Sequence, residues 1–153
     1  MKYILILIPI LLVAVFAYFQ LQTPLPENSQ TLTPESLSPS EEVANFSASF
    51  NIITNGTTRI FTDPKYHNQS DDVYIESSSP NTVRVKKTGI AWNDFFKTLP
   101  MKLTKECLTT GTGQTFCTNE NQTLRFVLNG IEAPDALDFE IKPNDKLEII
   151  YGN

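Results

Sequence analysis

Hydrophobic and polar positions alternate with a period of two through most of the second half of the chain. The pattern is sharpest between Leu124 and Asn153. Leu124, Phe126 and Leu128 fall on one face of a strand, with Arg125 and Val127 on the other, as expected where one side is buried. Asn129-Gly130 closes a turn, and the short return Ile131-Glu132 stops at Pro134. Pro134–Glu140 reads as an irregular or 3₁₀ turn carrying Leu137 and Phe139 inward. Pro143-Asn144-Asp145 is a tight turn. It delivers a final strand, Leu147 to Tyr151, with Leu147, Ile149 and Tyr151 on one side.

Upstream, Phe50–Thr54 and Thr57–Thr62 alternate around Asn55-Gly56, a strong hairpin signal. Asp63-Pro64 breaks that ladder. A second hairpin pairs Asp72–Glu76 with Thr82–Lys87 across Ser79-Pro80-Asn81, with Val73, Ile75, Val83 and Val85 inward and Arg84 and Lys86 outward. The period then changes. Trp92, Phe95, Phe96 and Leu99 stand at i, i+3, i+4 and i+7, one apolar helical stripe ended by Pro100. Thr88 is a candidate cap for that helix, and Ala91 is a poor one. Met101–Asn121 reads as irregular.

These elements predict an α+β domain over residues 49–153. From Asp72 onward the order is ββαββ, with the Phe50–Thr62 hairpin as an N-terminal extra. The helix crossover lets the first and last strands pair in parallel at the middle of a mixed sheet. One sheet face then packs on the helix and the other meets solvent.

The first nineteen residues change the picture. Tyr3–Phe19 is an unbroken apolar run behind Lys2, long enough for a minimal membrane-spanning signal-anchor. Glu27, Glu35, Glu41 and Glu42 follow it, so the positive-inside rule leaves the N-terminus cytoplasmic and the domain outside. The competing reading is secretion after cleavage, because Val15-Phe16-Ala17 resembles a small-residue signal-peptidase site. Residues 20–48 are rich in Pro, Ser, Thr and Glu and read as a disordered tether. Extended, it would reach roughly 70–90 Å at about 3.1 Å per residue.

A net charge of −5 argues against nucleic acid, which requires a basic face. The chain has two cysteines, Cys107 and Cys117, flanking a Gly/Thr-rich stretch. In an exported chain this favours a disulfide over a metal site, which needs more ligands. His67 stands in a polar loop with no partner in the pattern. Asp71 with Asp72, and Asp135 with Asp138 and Glu140, are acidic groups without the spacing of a known calcium loop. Gly111-Thr112-Gly113 does not lead from strand to helix and is no phosphate loop. Asn45, Asn55, Asn68 and Asn121 begin Asn-x-Ser/Thr sequons, candidate N-glycosylation sites in an exported domain. No catalytic set, cofactor or metal site is expected.

The succession FVLNGIEAPDALDFEIKPNDKLEIIYG resembles the C-terminal half of the sulfur carriers of thiamin and molybdopterin synthesis, which have the β-grasp (ubiquitin-like) fold. That resemblance implies a β-grasp-like sheet. Carriers and ubiquitin end in Gly-Gly, whereas here Gly152 precedes Asn153, so carrier chemistry is not implied. The layout is also similar to uncharacterised membrane-anchored proteins of archaea and candidate-phylum bacteria. Strands before the helix in that group carry alternating histidines that suggest metal binding. The corresponding stretches here, Val73–Glu76 and Val83–Lys86, have none. The expected function is a non-catalytic, membrane-tethered extracytoplasmic interaction or structural module with a protein partner at the cell surface. Its Phe50–Thr62 hairpin would offer an edge for strand pairing. The alternative is a small-ligand or metal-binding accessory domain of an envelope enzyme or transporter.

Overall fold

The computed structural model describes residues 43–153. The apolar run at 3–19 and the tether as far as residue 42 lie outside them. Among the described residues no helix is long and apolar enough to cross a membrane. The domain is α+β, a mixed sheet packed on one α-helix.

Chain order gives strands β1 (Val43–Thr54), β2 (Thr57–Thr58), β3 (Val73–Ile75) and β4 (Thr82–Lys87), then helix α1 (Trp92–Thr98). After it come β5 (Lys102–Leu103), β6 (Cys107–Thr109), β7 (Thr115–Cys117), β8 (Thr123–Leu128), β9 (Ile131–Glu132) and β10 (Lys146–Gly152). The main sheet runs β3-β4-β1-β10-β8-β9, with β2 also on β1; β5-β6-β7 forms a second, small sheet. At the centre β1 and β10 are parallel, with Phe50 opposite Leu147 and Ile52 opposite Ile149.

Strict alternation builds the layer beneath the helix. Phe50, Ile52, Val83, Val85, Phe126, Leu147 and Ile149 are buried on one face. The other face carries polar groups such as Asn51, Arg84, Arg125 and Lys146. Helix α1 covers the buried layer with Trp92, Phe95, Phe96 and Leu99. Phe50 is the hub, its ring centroid 4.9 Å from Phe61, 5.3 Å from Phe95 and 5.7 Å from Phe96, all edge-on. Edge-on contacts suit the aromatic quadrupoles. The helix starts from Ala91, not Thr88. Asp94 compensates for the missing cap, its Oδ2 accepting the Ala91 N–H at 3.2 Å.

Five expectations are corrected. Residues 43–48, assigned to the tether, are already strand, because Ala44 and Ala48 are buried while Val43 and Asn45 face out. The Phe50–Thr62 hairpin is neither an extra nor an edge: β1 is central, and it takes the parallel place expected of Asp72–Glu76. Its second limb is only Thr57-Thr58. Ile60 and Phe61 are adjacent, so a strand could bury only one of them; Phe61 enters the core and Ile60 stays 72% exposed. The stretch Met101–Asn121, read as irregular, holds the three strands of the small sheet. Finally, Phe139 is 45% exposed, while Ala136 and Leu137 turn inward. The Phe139 carbonyl faces the helix instead, accepting the Trp92 N–H at 3.1 Å.

Candidate binding cleft

A cavity of about 270 Å³ opens where the chain leaves β2 and passes the β6–β7 hairpin. Its floor is the rim of the core: Ile52, Phe61, Tyr66, Met101 and Leu108. Its mouth is hydroxylated, with Thr57 and Thr58 on one side and Thr110 and Thr112 on the other. Exposed Ile60 forms the lip.

Local chemistry shapes each wall. Asp63 caps a 3₁₀ turn, Pro64–Tyr66, through its Oδ1 and the Lys65 N–H at 3.0 Å. That turn drives Tyr66 inward against Phe61, centroids 5.1 Å apart. The opposite wall is fixed covalently. Cys107 and Cys117 face each other across β6 and β7 and form the expected disulfide. At the tip of this hairpin Gly111 comes so close that a Cβ there would lie 2.4 Å from the Tyr66 hydroxyl oxygen and 2.9 Å from the Pro100 carbonyl oxygen. Only glycine fits.

Two polar side chains stand out. The Tyr66 side chain belongs to a residue only 8% exposed, and its hydroxyl has no hydrogen-bond partner among the described residues. It is not sealed away, since Trp92 Nε1 is the buried side-chain atom without a partner. Arg59 donates from Nε to Thr54 Oγ1 at 2.7 Å and from Nη1 to Gln114 Oε1 at 3.3 Å. Its guanidinium lies 5.0 Å over the Phe116 ring. Both hydrogen-bond acceptors are neutral, and no carboxylate lines the cleft.

The residues singled out by sequence lie elsewhere or serve the framework. His67 bonds the Phe61 carbonyl through Nε2 at 2.8 Å, pinning the loop behind the cleft. Asp71 and Asp72 are exposed. Asp135 and Asp138 converge on Lys105, at 2.6 and 2.8 Å. The hydrogen bond to Asp135, and then that to Asp138, holds the Lys105 ammonium well above the ordinary lysine range. Glu140 is bonded by Lys142 and by the Gly89 N–H, and these contacts, Lys142 first, hold its carboxyl below its ordinary value. No cluster of three potential metal ligands occurs among the described residues. The four sequon asparagines, Asn45, Asn55, Asn68 and Asn121, are all exposed. Asn55 and Asn68 have positive φ, 51° each.

Sequence reasoning missed Arg59, Tyr66 and the threonines. One signal was present: the adjacent apolar pair Ile60-Phe61 breaks the alternation of the expected strand. No family model, curated protein or solved structure matches this chain.

Proposed function

We propose that this chain is a membrane-tethered, extracytoplasmic binding module with a β-grasp-like domain and no catalysis of its own. The cleft carries this reading: a concavity whose floor is formed by core side chains opens through a hydroxylated mouth beside an exposed isoleucine, the arrangement that binding sites use. Its lining supplies hydroxyls, a phenol and a guanidinium, groups that orient a bound molecule. The β-grasp assignment is supported by the sheet order β4-β1-β10-β8-β9 about a parallel central pair, with a helix crossing between the two halves. On this view β2 and β3, with the loop between them, are an insertion that supplies one wall of the cleft. Export is supported by the apolar run Tyr3–Phe19 and by the Cys107–Cys117 bond, which suits an oxidising compartment.

A photo-crosslinking residue at Ile60, in the full-length chain within its own membranes, tests the reading. Adducts to one partner or ligand, lost when the crosslinker is moved to Asn51 on the open sheet face, are expected. Equal labelling from both positions would sink it. A second reading, an accessory domain for a small ligand, is favoured by the size of the cavity, just below the usual range for small-molecule sites and suited to a ligand of few atoms.

A further inference from the structure

We infer that the cleft between Ile52–Phe61 and Leu108–Thr112 binds a small apolar monocarboxylate, its hydrocarbon on the floor and its carboxylate at Arg59. This rests on the reading of the cleft as a binding site and specifies its ligand.

Charge argues first. The chain carries 17 acidic residues against 12 basic ones. Yet the cleft lining contains one cation, Arg59, and no acid. The guanidinium has five N–H donors in a planar fork. Neutral acceptors beside the cleft, Thr54 and Gln114, take Nε and Nη1, and the remaining N–H donors make no hydrogen bond among the described residues. Phe116 supports its face, which fixes the plane of the fork. A guanidinium oriented this way and lacking an anion matches a carboxylate better than any neutral group.

The hydroxyl of Tyr66 is the independent second observation. Its ring is packed against Phe61 and its hydroxyl lies against Gly111, both residues of the cleft wall, with no protein hydrogen-bond partner among the described residues. A phenol with its ring in the core and its hydroxyl still reachable can exchange water for a ligand oxygen. The floor of Ile52, Phe61, Met101 and Leu108 offers nothing to a sugar ring or a polyol, which would lose hydration there without compensation. The volume of about 270 Å³ limits the hydrocarbon part to a short chain or a single ring.

The test uses isotopically labelled full-length protein in lipid nanodiscs, titrated with butanoate, hexanoate, phenylacetate and the corresponding alcohols. Saturable amide shifts at Ile60, Phe61, Thr110 and Gly111 are expected for the acids, with hexanoate or phenylacetate tightest. Arg59→Gln should weaken the acids about tenfold or more while leaving the alcohols nearly unchanged. Tyr66→Phe should weaken acids and alcohols alike. Acid binding that is indifferent to Arg59→Gln would overturn the assignment, as would shifts spread over the open sheet face. If Ile60 crosslinks to a partner but none of the acids binds, the ligand class is wrong and the binding module stands. If neither occurs, both fall.

Discussion

The main sheet and the small cysteine sheet are stabilised by different means. The main sheet rests on burial: two layers of apolar side chains meet around Phe50, and hardly any of its stability depends on one bond. The small sheet, with strands of two or three residues, buries little beyond Leu103 and Leu108. It keeps its shape through a disulfide, a threonine hydroxyl pair (Thr109 and Thr115, 3.0 Å) and one glycine. Burial spreads the framework's stability over many contacts, most densely around Phe50. Covalent and steric constraints fix the wall at a few points, and the cleft lies where the two meet.

The comparison is broken most strongly at the hub. Phe50→Ala should cost about 3–5 kcal/mol by cavity formation, read as a lower urea midpoint for the whole domain. Replacing both cysteines with serine should cost roughly 2–3 kcal/mol. Hydrogen exchange should place the added opening at Leu108–Phe116, with β1 and β10 still protected. Equal loss of protection in both sheets would mean that they form one unit. Gly111→Ala should cost about 1–3 kcal/mol, because Tyr66 or the Pro100 carbonyl must move. Its aromatic proton signature is a shifted Tyr66 ring.

The two Asn-Gly turns sharpen the comparison further. Asn129 accepts the Lys146 N–H at 2.9 Å and donates to the buried Asp145 carboxylate at 2.9 Å, whereas Asn55 only accepts from Gln122. Replacement by glycine preserves the positive φ of each turn and removes only the side-chain bonds. Asn129→Gly should therefore lose about 1–3 kcal/mol, and Asn55→Gly much less, in parallel denaturation curves. The smallest effect belongs to Glu140. Its folded carboxyl lies below the ordinary 4.5, so its contribution is complete above that pH and disappears as acid carries the pH down through the folded value. Glu140→Gln should flatten that part of the acid-stability profile and leave the neutral one nearly unchanged.

What the sequence conveyed follows the same division. Period-two alternation and the helical stripe located β1, β3, β4, α1, β8 and β10, because burial writes itself into hydrophobic spacing. The sequence also paired the cysteines. It did not convey which strand sits at the centre, since Val43–Thr54 and Asp72–Glu76 both alternate and the choice depends on long-range pairing. The cleft was harder still. Its groups are a hydroxylated turn, a glycine and an arginine, residues whose significance comes from which distant segment lies opposite. Tyr66 reads as a loop residue until Gly111 is placed against it.

The parallel seam between β1 and β10 governs how the domain can assemble. Its register joins segments such as Ser49 and Asp145, 96 positions apart in the chain. Contacts that distant slow folding, because a long loop must close before they give any return. Until the seam forms, β1 and β8 each present an unfinished apolar edge. Chains at high local concentration face a choice at that moment between closing the seam within themselves and exchanging β10 with a neighbour. A slow, late seam therefore makes chain concentration a variable in whether these domains stand singly or interlocked.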